Sequence, residues 1–380
     1  MKKLVAFSIV LLFSTMLFIF HIPSNFSASN DYHLIDAHLG MLDFSAVDSI
    51  IQRSSESVRN IRLGDLAFDA ITGELDLSPR AITDTLFSLF FAEVRALVVT
   101  MRHLILIAIL SAFFTAFTSS FKSAGVSEVG FYVNYLAIIA LLLSSFAVGI
   151  GLMIGMAEIM SDLMIAALPL IASLAVMSGS VTAGYVFNPA IIFFTGFLVN
   201  TMRYVVIPLI VSAAVMQILS YLSKKEMLEK LSILIRNVVS WGLRISAGLF
   251  ITILALHRFS TAPLNSALVR SSRFMLNLIP VVGTSLSGAA DAVMYWSGAV
   301  RGGVLTAIII VIILMCAIPL IQLAAFTLIY KLTAGLIQPI CDERIVKAVD
   351  TAGSYTALML GVCVLLSTTF IFAVIIVLSV

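Results

Sequence analysis

Charge is what this chain has least of. Only 11% of its 380 residues are Asp, Glu, Lys or Arg, while 61% are hydrophobic. Soluble domains carry about 25% charged residues, so a water-exposed globule is excluded. A mean hydropathy of +1.13 places the chain among proteins that cross a membrane several times. The net charge of +2 gives no basis for binding nucleic acid. Cysteine is scarce as well: the 3 present, Cys316, Cys341 and Cys363, are odd in number and far apart, which excludes a disulfide framework and zinc-type spacing.

Catalytic signatures are missing in turn. No GxxxxGK[ST] loop is present to cradle a nucleoside triphosphate, and no HExxH to hold zinc. The histidines His21, His33, His38, His103 and His257 do not cluster, and no Ser/His/Asp or Cys/His arrangement stands out. The expectation is a protein that is not an enzyme and needs no metal or cofactor.

What is there begins with Met1-Lys2-Lys3 and the apolar run Leu4–Phe20, which read as a signal peptide over residues 1–29. Ser27-Ala28-Ser29 offers the small residues a signal peptidase needs. A retained first helix is the rival reading. Residues 30–97 then form an acidic, exported helical segment. From His21 to Arg95 the chain holds eleven of its 20 acids, against five arginines and no lysine. Ser45 with Asp48 fits a capping box, and Ser78-Pro79 opens a second helix. Ile82, Leu86, Phe90 and Val94 recur at helical spacing and feed into the first span.

Residues 98–380 make the polytopic domain. A span takes about 20 apolar residues. Runs of that kind lie near Val98–Phe121, Gly130–Ala157, Leu163–Ala183, Tyr185–Met202, Tyr204–Ser223, Val238–Leu256, Val304–Tyr330 and Ser354–Val380. The fold class is all-α, with about seven or eight transmembrane helices. With the acidic segment outside, Lys122, Lys224, Lys225, Lys230, Lys331 and Lys347 all fall on the cytoplasmic side, as basic loops favour.

Between the last two cytoplasmic groups stands the stretch Phe274–Gly303. It carries Pro280, Gly283, Gly288, the acid Asp291 and the close Arg301-Gly302-Gly303. Broken backbone is tolerated at membrane depth only where protein or water satisfies it. The stretch 274–303 therefore reads as a broken or re-entrant element; an exposed loop with an amphipathic helix is the alternative. Glu158 and Asp162, four apart on one helical face, are either a solvated loop or a paired acidic site on a cavity. Arg244 lies inside a span, where it can snorkel or pair with Asp291. Arg203 reads as interfacial. Gly151 and Gly155 form a small-xxx-small pair for close helix contact. Pro169, Pro189, Pro208 and Pro319 fall inside apolar runs and predict kinks.

Two motifs carry a resemblance. The first is Pro280-Val281-Val282-Gly283 with Leu286-Ser287, Asp291 and Arg301-Gly302-Gly303; the second is Gln338-Pro339-Ile340-Cys341-Asp342-Glu343-Arg344-Ile345. With them the chain resembles the stage III sporulation protein AE family of endospore-forming bacteria. Thr284 and Gly288 depart from that family's pattern, where a basic and an acidic residue are expected. The resemblance implies a multi-pass membrane subunit of the SpoIIIA–SpoIIQ type of channel or secretion apparatus between mother cell and forespore. It implies a place in the mother-cell membrane around the forespore. The implied partners are other membrane subunits, ring-forming subunits and a separate secretion-type ATPase. A stand-alone secondary transporter for a small solute, using Glu158, Asp162, Asp291 and Arg244, is the reading from a different class.

Overall fold

In this computed structural model the described residues are 32–54, 59, 61–74, 79–119, 124–177, 189–221, 228–252 and 283–379. The signal-peptide expectation and Pro280 lie outside them. Among the described residues the secondary structure is helical throughout, without a strand. Three short helices come first: α1 (Tyr32–Leu39), α2 (Ser45–Arg53) and α3 (Leu63–Thr72). Long ones follow: α4 (Pro79–Ser119), α5 (Ala124–Met177), α6 (Pro189–Thr201), α7 (Ile207–Ser220), α8 (Glu229–Thr252), α9 (Gly283–Ile337) and α10 (Glu343–Ser379).

The short helices are stapled by their acids. The expected Ser45/Asp48 capping box does not form: α2 has no side-chain cap bond, and the Asp48 carboxylate is engaged elsewhere. Asp43 Oδ1 accepts the Ser45 N–H at 2.9 Å, and the Ser45 hydroxyl and backbone hold its carboxyl below the ordinary Asp range. Asp48 Oδ1 instead accepts the Leu63 N–H, 15 residues on, at 2.9 Å, satisfying one of the free donors at the start of α3. Gly73 ends α3 in the left-handed region at φ 77°, the conformation that favours glycine.

These helices have no separate core. Ile35, Val47, Ile51, Leu63, Ala67 and Ile71 are buried in the same cluster as Met153 and Met160 of α5, Val304 and Ile308 of α9, and Leu366 of α10. The docking point on α9 is Gly303. A Cβ there would run into Ile71 Cγ1 and stand 2.9 Å from the Ala67 carbonyl oxygen, so only glycine lets α3 lie this close.

α10 is the axis of the bundle. Every residue from Thr351 to Met359 and from Gly361 to Ile371 is buried, as befits a helix apolar on all sides. Its buried hydroxyls do not go begging: Thr356, Ser367, Thr368 and Thr369 each donate to the carbonyl four residues back, at 2.8–2.9 Å. α9 returns antiparallel beside it. A Cβ on Gly353 would sit 3.0 Å from Tyr330 Cβ, which marks a close crossing. The Gln338–Ile345 motif is the hairpin joining the two. Asp342 Oδ1 accepts the Arg344 N–H at 2.9 Å and so caps α10, while the Cys341 thiol donates to the Ala108 carbonyl of α4 at 3.3 Å. Pro339 is exposed in that turn.

Among the described residues, five helices are long and apolar enough to cross a membrane: Tyr135–Ala167, Phe193–Ser220, Glu229–Thr252, Gly298–Ile337 and Glu343–Val374. Seven or eight separate spans are not found there. The expected breaks at Glu158–Asp162 and at Arg203 are helix interior: α5 runs unbroken over 54 residues, and Pro189 to Ser220 is one rod with a π turn in it. Residues 98–119 of the expected span Val98–Phe121 lie in α4, which is outside the five, and the 97/98 boundary falls inside that same helix. The re-entrant expectation for 274–303 falls partly outside the described residues. From Gly283 on, the chain is continuous helix through Gly288, Asp291 and Arg301–Gly303. A helical glycine costs only about 1 kcal/mol against alanine, and Ala289, Ala290 and Ala292 surround the site. Residues 274–282 are outside the description.

Candidate functional site

The charged groups that gather inside the candidate spans are Glu158, Arg203 and Asp162. Glu158 projects from α5, and Arg203 from the π turn Met202–Val206. Arg203 Nη2 donates to Glu158 Oε1 at 2.7 Å, with the side chains 40% and 47% exposed, respectively. The Arg203 guanidinium also lies 5.5 Å from the centroid of the Tyr204 ring, within cation–π range.

Proline explains the π turn. Pro208 has no N–H to give the Tyr204 carbonyl, and its ring crowds that oxygen. Inserting one residue relieves the clash: the Ile207 N–H bonds the Met202 carbonyl, five residues back. Single π turns of this kind recur at functional sites. Here the turn carries the arginine.

Magnitudes decide what the pair means. In water an exposed ion pair is worth at most about 1 kcal/mol. In hydrocarbon each lone charge at a helix centre costs about 2.5–3.5 kcal/mol to insert. Glu158 and Arg203 both sit inside candidate spans, so the pair is what makes either charge tolerable there. Asp162 follows one turn later on the same face of α5, exposed and without an ion-pair partner among the described residues. The expected acidic pair is thus split: one acid is engaged, and one remains.

The other expected residues fall elsewhere. Arg244 is exposed on the outer face of α8, and the described residues include no ion-pair partner for it. Arg301 is half-buried on α9, beside Gly302 and the α3 contact at Gly303. Asp291 and Gly288 lie in the first turns of α9, with their surroundings outside the description, so the Arg244–Asp291 pairing has no test here.

A second polar cluster escaped the sequence reading. At the lysine-rich end, Tyr355 donates to Gln217 Oε1 at 2.9 Å, and Gln217 Nε2 donates to the Tyr221 hydroxyl at 3.0 Å. Tyr221 in turn meets Thr351 Oγ1 at 3.1 Å, and Tyr135 donates to the Ile218 carbonyl at 2.8 Å. All these side chains are buried. They tie α5, α7 and α10 together, and Tyr355 also reaches the Ser232 carbonyl of α8 at 3.5 Å. The available signal was Gln217, a lone amide inside an apolar run. Nearby, Lys331 Nζ bridges Asp350 Oδ1 and Ser354 Oγ, each at 2.7 Å.

An all-helical membrane bundle with an ion pair inside its spans defines a class: a polytopic membrane protein with a charged intramembrane face. Residues 61–380 match the family described as Stage III sporulation protein AE, and the chain belongs to that family. It is also 27% identical, over 305 residues, to the Stage III sporulation protein AE of Bacillus subtilis (strain 168). That similarity covers 79% of this chain and 75% of the relative. No solved structure matches.

Proposed function

We propose that this membrane protein of the stage III sporulation family is a multi-pass subunit of a channel or secretion apparatus joining mother cell and forespore. The observation that carries the reading is the Glu158–Arg203 pair, held at membrane depth yet nearly half-exposed. Charges in that position mark either a pathway or an assembly surface. On this reading the chain works in the mother-cell membrane around the forespore. Its acidic helices α1–α3 stand on the exported side, and its lysine-rich hairpin faces the cytoplasm. Its partners are other membrane subunits, ring-forming subunits and a separate ATPase that supplies energy. The chain itself is not an enzyme.

The test is made in the native spore former. Loss of the gene is expected to block spore formation, and a tagged chain recovered from sporulating cells is expected to bring the other membrane subunits with it. Purified alone in liposomes, it is expected to show no ion-coupled uptake. Coupled solute uptake by the isolated chain would overturn this reading in favour of a stand-alone transporter.

A further inference from the structure

Two outward faces of the bundle complement each other. The first, on α5, runs through Gly151, Gly155, Glu158 and Asp162, an acid that has no ion-pair partner among the described residues. A Cβ on either glycine would meet nothing within 4 Å, so among the described residues no helix covers the glycine part of that face, and the rod carrying Arg203 borders it at Glu158. The second, on α8, carries the exposed Arg244 between Trp241 and Ile245, which are 66% and 54% exposed. Gly248, one turn from Arg244 on the same face of α8, is likewise open, with nothing within 4 Å of an added Cβ. Small residues on both faces let backbones approach closely, which is how helices associate in a membrane.

Their heights lie about 9 Å apart. Tyr355 bonds both Gln217 of α7 and Ser232 of α8, so these residues share a level. Counting 1.5 Å per residue from there, Arg203 stands about 21 Å up its rod and Arg244 about 18 Å up α8. Glu158 is level with Arg203 through their ion pair, and Asp162 lies about 6 Å beyond it. Upright copies side by side would therefore bring Asp162 of one within reach of the Arg244 side chain of the next.

We propose that these faces join copies of this chain head to tail in the membrane, with Asp162 of one copy paired to Arg244 of its neighbour. The occupant is a second copy because an acid and an arginine without an ion-pair partner among the described residues belong to the same chain, on different faces and about 9 Å apart in height, an offset that the two side chains bridge between them. Such a contact is heterologous: it closes into a ring if the rotation allows and otherwise propagates. This goes beyond the channel reading and does not depend on which cargo, if any, is moved.

The experiment uses the full-length chain in isolated membranes, with Cys316, Cys341 and Cys363 replaced by alanine. Asp162→Cys and Arg244→Cys are placed on two differently tagged copies and treated with a flexible bis-maleimide, because an offset of about 9 Å in height is beyond the roughly 7 Å that a disulfide bridges. The expected result is a cross-linked dimer carrying both tags, and a ladder when one chain carries both substitutions. Neither single variant alone is expected to link. In the cysteine-containing chain, Asp162→Arg and Arg244→Asp are each expected to leave a monomer by native mass spectrometry. Combining the two in one chain is expected to restore the oligomer. Unchanged melting of each monomer in detergent is expected, since both side chains are exposed. No mixed cross-link, or an oligomer indifferent to both single charge reversals, would overturn the proposal. Cross-linking of Asp162→Cys only to itself would overturn it too, by showing a two-fold contact.

Discussion

At the scale of single residues, the Glu158–Arg203 pair carries the sharpest expectation. Removing one partner strands the other charge at membrane depth. Glu158→Gln and Arg203→Gln should each cost about 2–3 kcal/mol, discounted from the full insertion penalty because both groups are partly exposed. The double change should cost less than either single one, read as melting temperature and abundance in membranes. Equal, additive losses would show two independently solvated groups. The polar cluster behaves differently: Tyr355→Phe leaves Gln217 Oε1 without its donor inside the core and should cost about 1–3 kcal/mol. The pair was invisible in sequence because its members are 45 positions apart, and a lone charge between apolar runs looks like a loop. Cys341 offers a pH test. Burial, and then the neighbouring Asp342 charge, push its thiol above the ordinary range, so maleimide labelling should be slow at neutral pH and rise as the pH is raised. Asp342→Asn keeps a capping side chain while removing the charge, and it should shift that rise to lower pH. An unmoved labelling profile would mean that burial alone holds the thiol.

At the scale of helices, what the sequence showed depended on where its charges lay. The helix start at Pro79 was readable because proline acts locally, and the turn between the last two helices because Lys331 and Lys347 separate two apolar runs. The merging of expected spans into α5 and the α6–α7 rod was not, since it depends on Glu158 and Arg203 neutralising each other from different helices. The role of Gly303 was equally hidden. Its position looked like a membrane break, but the reason for glycine is α3, over 230 positions earlier, lying directly upon it. This predicts a compensating pair. Gly303→Ala should loosen α3 and speed proteolysis of the segment before Pro79 in the folded protein. Ile71→Ala in the same chain should recover much of the protection, because the first collision is with the Ile71 side chain and not with backbone. Recovery will be partial, as the Ala67 carbonyl oxygen, at 2.9 Å, still crowds the new methyl. Proteolysis as slow in Gly303→Ala as in the unaltered chain would mean that α3 does not rest there.

At the scale of the molecule, length is the decisive quantity. α5 and α9, at 54 and 55 residues, are about 80 Å long, while the hydrocarbon core of a bilayer is about 30 Å thick. Tilt cannot absorb that excess, so one end of the bundle must stand outside the lipid. The lysines decide which. Lys331 pairs with Asp350 near the α9–α10 hairpin, about 9 Å from the end of α9, and there is little helix beyond it to project. Gly303 and the docked α1–α3 lie about 51 Å above that end. A hydrocarbon slab starting at the lysines ends well below them. The prediction is therefore a stalk: α1–α3 and the upper turns of α5 and α9 project on the side opposite the lysines, clear of the headgroups. In a chain lacking native cysteines, a cysteine at Asp65 should label with a membrane-impermeant maleimide from the exported side, and one at Lys347 only after the membrane is opened. A spin label at Asp65 should further be relaxed by a water-soluble nickel chelate and not by a lipid-bound paramagnet. Strong relaxation by the lipid probe at Asp65 would place α3 flat on the bilayer and end the stalk. Labelling of Lys347→Cys from outside would invert the topology, leaving the lysine-rich hairpin, not the acidic helices, on the exported side.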